Sequence, residues 1–117
     1  PTMAVTDSFR DFVVEQLEQT TRDIRVKRMF GGVGIYAGER FFALIDNDTL
    51  YFKVDDQTRP EFVKRKMQPF QPYGPDGETM GYCQVPIDLL EDADALKPWV
   101  ADAIAVATRA TSGKKKR

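Results

Sequence analysis

The sequence predicts a single α+β domain in which one antiparallel sheet meander is flanked by helices. Three observations lead to this fold class. Short runs of β-branched and aromatic residues follow one another from residue 24 to residue 54, separated by tight-turn residues. Stretches with apolar residues at helical spacing come before and after these runs. The length of 117 residues corresponds to one domain rather than two.

Composition places the chain among ordinary globular proteins, and we expect it to be cytoplasmic. Hydrophobic residues make up 42% and charged residues 30% of the sequence, so there is enough apolar material for a core. No apolar run reaches the length of a membrane span, and the first residues lack the pattern of a signal peptide. The single cysteine excludes an internal disulfide and fits a reducing compartment.

The first element is a helix over "TDSFRDFVVEQLEQT", residues 6–20. Its apolar residues share one stripe at helical spacing: Phe9, Phe12, Val13 and Leu17. Thr6 or Asp7 suits the N-cap, because a short polar side chain there accepts a hydrogen bond from a free backbone amide. The helix should fade near Thr20, where β-branched residues meet.

Four strands are then predicted in succession: "DIRVKRMF" at 23–30, "GVGIYA" at 32–37, "RFFALI" at 40–45 and "TLYFKV" at 49–54. The dipeptide Gly38-Glu39 forms a two-residue hairpin turn between the second and third strands. The segment "DND" turns the chain between the third and fourth. Consecutive strands joined by such short turns form an antiparallel meander.

Two-residue turns determine which side chains share a face of this sheet. One face then carries Val33, Ile35, Phe42, Leu44, Tyr51 and Lys53. The other carries Tyr36, Phe41, Ala43, Ile45, Leu50, Phe52 and Val54. Both sets are apolar, whereas a sheet with one wet face would alternate apolar with polar residues. We therefore expect helices on one face and a second subunit, in a homodimer, on at least part of the other.

The second half of the chain is predicted to contain two helices and one or two short strands. A helix over 55–66 is capped by Asp55 or Asp56 and has Pro60 in its early turns. A loop follows with a short edge strand over 69–73, and "MGYCQVP" is the last strand. The closing helix over 92–110 is capped by Asp92 or Asp94. Residues 111–117 are predicted to be a flexible end, with a folded domain over 1–113 and a basic tail over 114–117.

Few residues in this sequence suit catalysis or metal binding. There is no histidine, which removes the commonest general base and metal ligand. Cys83 is interpreted as a buried hydrophobe on the last strand. Asp46 and Asp48 form a turn, because the glycine and glutamate of a calcium loop are missing at the required spacing. We predict no enzyme, no cofactor and no metal.

The glycine-rich stretch "KRMFGGVGIY", residues 27–36, is the most distinctive local motif. It lacks the lysine and hydroxyl residue that close a phosphate-binding loop. A dinucleotide fingerprint would open a helix, whereas the residues that follow here continue as a strand. We predict that the glycines form a bend or bulge between the first two strands, where glycine tolerates strained dihedral angles.

Two binding functions remain open on the residues alone. A nucleic-acid interface would use the strand-edge and tail cations Arg25, Lys27, Arg28, Lys114, Lys115, Lys116 and Arg117. Against it, the net charge is −1, and residues 1–113 carry 13 basic and 18 acidic side chains, which is not a broad basic surface. A small-ligand pocket would lie near Tyr36, Tyr51 and Lys53, where burial of the lysine would lower its pKa.

The segment "RDIRVKRMFGGVGIYAGERFFALIDNDTLYFKVDDQTR" resembles the signature region of the TfoX N-terminal domain family. Its core is "RMFGGVGIY", followed by "FALI" and "LYFKVDD", and the later "MGYCQVP" and "DALKPWV" also resemble family blocks. The likeness runs from about Phe9 to Ala107, nearly the whole folded chain. It implies an α+β fold of the secretion-chaperone-like kind, with one antiparallel sheet flanked by helices.

The resemblance also implies a function. Full-length members of the TfoX or Sxy type regulate natural competence in bacteria and are thought to act with the cyclic-AMP receptor protein, a transcription factor. It therefore implies a non-enzymatic regulatory or adaptor domain acting through protein contacts. Its partner surface is expected at the motif residues and one neighbour: Arg28, Met29, Phe30, Gly31, Gly32, Gly34, Tyr36, Tyr51, Lys53 and Asp55.

Overall fold

Five antiparallel strands in chain order, β1-β2-β3-β4-β5, form the sheet of this protein. The structure is a computed structural model that describes residues 5–29, 32–71 and 81–115, with only the backbone described for 111–115. The elements are α1 (Asp7–Glu18), β1 (Ile24–Met29), β2 (Gly32–Ala37), β3 (Arg40–Asp46), β4 (Thr49–Lys53), α2 (Arg59–Lys64), β5 (Tyr82–Gln84), α3 (Ile87–Leu90) and α4 (Ala93–Lys115). The predicted α+β meander is therefore confirmed.

The four helices described pack on one face of the sheet, which we call the core face. Each helix contributes buried apolar side chains to the same cluster: Val13 and Leu17 from α1, Phe62 from α2, Leu89 and Leu90 from α3, and Leu96, Val100, Ala103 and Ala107 from α4. The sheet contributes Val33, Ile35, Phe42, Ala43, Ile45, Leu50, Phe52, Val54 and Cys83. None of the helices in the described chain is long and apolar enough to cross a membrane.

The first and last helices begin at predicted caps. The Thr6 hydroxyl accepts a hydrogen bond from the Phe9 amide at 3.3 Å, and a carboxylate oxygen of Asp92 accepts one from the Ala95 amide at 3.2 Å. Both contacts satisfy amides that have no partner within their own helix. α1 ends at Glu18, and the Thr20 hydroxyl donates to the Leu17 carbonyl at 2.7 Å.

A β-bulge in β3 overturns the predicted division of side chains between the two faces. Ile35 pairs with Ala43 and Tyr36 pairs with Phe41, so Phe42 has no opposite residue on β2. Phe42 and Ala43 are both buried on the core face. One extra residue shifts the alternation by one position, and everything beyond it changes face.

The predicted faces were therefore wrong beyond the bulge. Leu44, Tyr51 and Lys53 lie on the face away from the helices, although the sequence placed them with Val33 and Ile35. Conversely, the residues Ala43, Ile45, Leu50, Phe52 and Val54 are buried in the core instead of sharing a face with Tyr36 and Phe41.

The second half of the chain differs from the prediction at several boundaries. The four-residue helix α3, which follows Pro86, was not predicted. α2 is confined to Arg59–Lys64, because Asp55 caps the turn before the helix and not the helix itself. α4 continues to Lys115 where a flexible end was expected, since a single glycine inside a helix costs only about 1 kcal/mol relative to alanine.

The two edge strands of the sheet, β1 and β5, differ in whether a further backbone segment pairs with them. On the β5 side, the Phe70 amide donates to the Tyr82 carbonyl at 2.8 Å and the Gln84 amide donates to the Gln68 carbonyl at 2.9 Å. Pro69 forms a single bridge to Cys83, so no strand is present over the described part of the predicted 69–73 segment, and Tyr73 lies outside the described residues. Within the described chain, no such segment pairs with the free side of β1.

Candidate functional site

The sheet face opposite the helices, which we call the outer face, carries most of the predicted surface. Side chains of paired residues share a face, and the pairs Gly34–Leu44, Leu44–Tyr51 and Tyr36–Phe41 place these residues together. Lys53 pairs with Tyr82 on the same face. Apart from Gly34 and Tyr82, which are buried, these residues are half-buried.

Five aromatic rings form a connected row across the outer face, which we call the aromatic cluster: Tyr36, Phe41, Tyr82, Phe70 and Tyr51. Ring centroids are 5.0 Å apart for Tyr36 and Phe41, and 6.0 Å apart for Phe41 and Tyr82. Phe70 continues the row at 6.5 Å from Tyr82 and 4.8 Å from Tyr51. These separations lie in the range in which aromatic pairs attract one another beyond simple burial.

Lys53 lies at the end of this row, against Tyr82. Its ammonium is 3.5 Å from the Tyr82 hydroxyl and 5.1 Å from the centre of the ring. Burial, together with the nearby Tyr36, raises the pKa of Tyr82 to about 12. The phenol therefore stays neutral at physiological pH, and its oxygen can accept a hydrogen bond from the Lys53 ammonium.

The predicted small-ligand pocket is not assembled at these residues in the cavities described. A cavity of about 340 Å³ between α2 and α4 is bordered by Lys53, Phe62 and Trp99. A second, of about 420 Å³, lies beside Lys53 and Arg109. Neither is lined by Tyr36 or Tyr51, which lie on the outer face.

Gly32 and Gly34 do not form the predicted bulge, and Gly31, at the junction of the first two strands, lies outside the described residues. Gly32 and Gly34 pair regularly with Met29 and Lys27 in the β1–β2 ladder, and neither has a positive φ. The bulge lies on the other side of β2. A side chain on Gly34 would meet the Met29 Sδ and Cε atoms, so the glycine leaves room for Met29 to lie across the sheet. A run of glycines is compatible with a bent backbone and with close packing over the strand. The local sequence cannot separate the two, because Met29 reaches Gly34 only in the folded sheet.

The remaining predicted surface residues are dispersed. Arg28 is on the core-face side of β1, opposite Val33, while Arg25 and Lys27 are on the outer side. Phe30, Gly31, Lys116 and Arg117 lie outside the described residues, and for Lys114 and Lys115 only the backbone in α4 is described. Sequence reasoning missed Phe41, Phe70 and Tyr82 as site residues. Tyr82 could have been found from its position in the predicted last strand "MGYCQVP", if that strand had been paired with "LYFK" in the sheet.

Cys83 lies within the sheet, where it was predicted. It is 3% exposed, and burial raises the pKa of its thiol, so the thiolate is disfavoured. No group of three or more side chains suited to metal binding occurs among the described residues.

Asp55 contributes to the packing of α4 rather than to the outer face. One carboxylate oxygen accepts hydrogen bonds from Arg109 Nε at 3.0 Å and Nη2 at 2.7 Å. The other accepts from the backbone amides of Gln57 at 3.0 Å and Thr58 at 3.2 Å. The backbone contacts stabilise the turn after β4, and the Arg109 contact connects that turn to the last helix.

Replacing Asp55 with alanine is expected to lower the free energy of unfolding at pH 7 by about 1–2 kcal/mol, the usual cost of losing a capping carboxylate. Partial burial raises the pKa of Asp55, but hydrogen bonds from Arg109, Gln57 and Thr58 outweigh it and hold the pKa below its ordinary 3.8. A lowered folded-state pKa stabilises the protein above the unfolded-state pKa, and this contribution is lost as the pH falls through the folded value. Urea unfolding should therefore show the two proteins converging in stability below about pH 4.

Asp56→Ala is the matched control for this measurement. Its side chain is fully exposed and pairs with Arg59 at 3.0 Å. Exposed pairs contribute little, so we expect a change within about 0.5 kcal/mol. Equal losses at the two positions, or a difference independent of pH, would contradict the role assigned to Asp55.

Comparison with known proteins places the chain in a family. The TfoX N-terminal domain family matches residues 15–107, most of the chain and all five strands. Curated proteins provided no match. The match covers the aromatic cluster and the glycine motif together, in agreement with the resemblance inferred from "RMFGGVGIY". The chain therefore belongs to the TfoX N-terminal domain family.

Proposed function

We propose that this protein is a non-enzymatic regulatory or adaptor domain that acts through protein contacts made by its outer face. The observation that carries the proposal is the aromatic cluster. It lies on the face of the sheet against which no helix of the described chain packs. An antiparallel sheet with one solvated face would normally carry polar residues there.

The aromatic composition of the outer face suits a protein interface. Aromatic side chains each bury about 150–250 Å² when fully enclosed, and they dominate the energy of many interfaces. Four rings of the cluster are half-buried and can lose further area to a partner, whereas Tyr82 is already buried at 7% exposure. Coverage of the four half-buried rings, with Met29 and Leu44 beside them, would contribute to the apolar centre of such an interface.

A second copy of this chain is the occupant that we propose for the outer face. The centre of the face is apolar, and an apolar patch related to itself by a two-fold axis is the usual form of a homodimer. The regulatory partner would be a transcription factor such as the cyclic-AMP receptor protein, in control of competence-type genes. This partner follows from the family resemblance.

Size-exclusion chromatography with light scattering tests the self-interface. We expect the unmodified protein to be a dimer and the double variant Tyr36→Ser, Tyr51→Ser to shift toward the monomer by at least tenfold in dissociation constant. Val63→Ser is the control, because Val63 is 61% exposed on α2 and belongs to no sheet face.

The proposed contact with a transcription factor is tested by measuring the binding of purified cyclic-AMP receptor protein. The unmodified protein, the double variant and Val63→Ser are compared. Weaker binding by the double variant alone would support a regulatory contact that depends on the outer face, either directly or through the dimer that this face forms. If the double variant matches the unmodified protein in both measurements, the outer face is not the binding surface and the proposal is wrong.

A further inference from the structure

β1 is the open edge of the sheet in the described chain. The opposite edge, β5, is paired by backbone groups of Gln68 and Phe70, whereas among the described residues β1 has only β2 beside it. The Gly38 amide donates to the Asp23 carbonyl at 2.9 Å, which fixes the phase of the β1–β2 ladder. Because antiparallel pairs alternate, the backbone groups of Ile24, Val26 and Arg28 point away from the sheet.

The side chains of β1 combine three cations with an exposed apolar residue. Val26 is 45% exposed, and it is flanked by the exposed residues Arg25, Lys27 and Arg28. Arg25 is paired with Asp23 at 3.0 Å. Lys27 and Arg28 have no ion pair with any residue in the described part of the chain.

A second copy of the chain does not suit this edge. Two antiparallel β1 strands that meet around Val26 would place Arg25 of each copy directly opposite Lys27 of the other. Like charges opposite each other destabilise a strand pair, and charged edge strands commonly prevent self-pairing in this way. The same charges favour an acidic strand.

We propose that β1 binds an extended acidic segment of another protein, which adds to the sheet as a sixth strand. The inference rests on the proposed function and names the partner chemistry and the mode of binding. Backbone hydrogen bonds to Ile24, Val26 and Arg28 would supply affinity, and alternate side chains would supply specificity. Acidic residues would face the three cations Arg25, Lys27 and Arg28. Apolar residues would cover Ile24 and Val26.

These pairings define the sequence pattern of the segment. An antiparallel strand read from the position opposite Arg28 to that opposite Ile24 has the order acidic, acidic, apolar, acidic, apolar. The peptide Thr-Glu-Glu-Val-Glu-Val-Thr satisfies this pattern. Nucleic acid would also be attracted by the three cations, but it has no backbone amides to pair with the outward-pointing groups and no apolar group matched to Val26.

The test is fluorescence anisotropy with the labelled peptide and the whole 117-residue chain, in three comparisons. A peptide with the same composition in scrambled order tests the register. A peptide N-methylated at the residues that would donate to β1 keeps every charge but loses those hydrogen bonds. Single-stranded DNA of twenty nucleotides tests the nucleic-acid alternative. We expect the scrambled and N-methylated peptides to bind at least tenfold more weakly than the parent peptide.

Protein variants locate the site. Lys27→Glu should weaken peptide binding at least tenfold, while Lys97→Glu, the same charge change at an exposed position on α4, should not. If the parent and N-methylated peptides bind equally, the backbone hydrogen bonds contribute nothing and charge attraction alone accounts for binding. This result would overturn the proposal. Tighter binding of DNA than of the peptide, with the loss on Lys27→Glu confined to DNA, would also overturn it.

This outcome is separable from that of the proposed function. The Tyr36→Ser, Tyr51→Ser protein reports on the outer face, and Lys27→Glu reports on the β1 edge. If no peptide binds but the tyrosine variant still dissociates the dimer, only the strand-addition inference fails. If the peptide binds as expected while the tyrosine variant changes neither the dimer nor the transcription-factor contact, the outer-face proposal fails instead.

Discussion

Phe42→Ala is expected to lower the free energy of unfolding by about 3–5 kcal/mol, the usual cost of emptying a phenylalanine site in a core. Phe42 is the extra residue of the bulge, and its side chain is completely buried. Its ring centroid lies 5.9 Å from that of Phe52, which is also completely buried. Removing the ring leaves a cavity between the sheet and the helices that a close-packed interior refills only in part. Urea unfolding monitored by circular dichroism measures this loss.

Phe41→Ala is the matched control, because it makes the same chemical change at the adjacent position. Phe41 is half-buried on the outer face, against Tyr36 and Tyr82. Truncating a half-buried ring removes less area from contact, so we expect a loss of about 1–2 kcal/mol. Equal losses at positions 41 and 42 would mean that the two rings share the same degree of burial, and the face assignment at the bulge would be wrong.

Gly32→Ala is expected to destabilise the protein by about 2–3 kcal/mol, in the range found for overpacked sites. A Cβ atom on Gly32 would lie 2.5 Å from the backbone carbonyl oxygen of Ile45 on β3. Both atoms belong to neighbouring strands of one sheet, so relief requires the strands themselves to move. Thermal and urea unfolding of the variant measure the cost, and an unchanged stability would contradict the close approach of β2 and β3.

Gly34→Ala makes the same change two residues further along β2 and serves as the comparison. There the Cβ would meet Met29 Cε at 2.6 Å and Phe41 Cε1 at 3.0 Å. The end of a methionine side chain moves readily to another rotamer. Alanine is also preferred to glycine in a strand by about 0.5–1 kcal/mol, which offsets part of the clash. The stability loss should therefore be well below that of Gly32→Ala, and the reverse order would overturn this account.

The glycine motif and the outer face are one structural unit. Because Gly34 has no side chain, Met29 and Phe41 approach each other over β2, and Phe41 then stacks on Tyr36 at 5.0 Å between ring centroids. The motif that is most distinctive in the sequence therefore shapes one end of the aromatic cluster. Substitutions at Gly34 are expected to act on partner binding more strongly than on folding.

The candidate site was predictable only in part. Tyr36, Tyr51 and Lys53 were identified from the meander, and all three lie on the outer face. Tyr82 and Phe70 come from chain segments far away in sequence, and only pairing with β4 and β5 brings them to Tyr51 and Lys53. Asp55 was grouped with the site because it adjoins Lys53 in the motif, but its hydrogen bonds connect it to Arg109, 54 residues away.

The amino-acid sequence by itself determined the meander of the first four strands and the tight turns after β2 and β3, and it limited the caps of the first and last helices to two residues each, because these features depend on neighbours within a few residues. It did not determine which face each side chain of β3 and β4 occupies. That choice turns on one bulged residue, and both registers place apolar residues on both faces. The decision came from the tertiary structure, in which Phe42 fills the space beside Phe52 under the helices. Burial against distant elements, which no local pattern contains, therefore selects the side of the sheet on which no described helix packs.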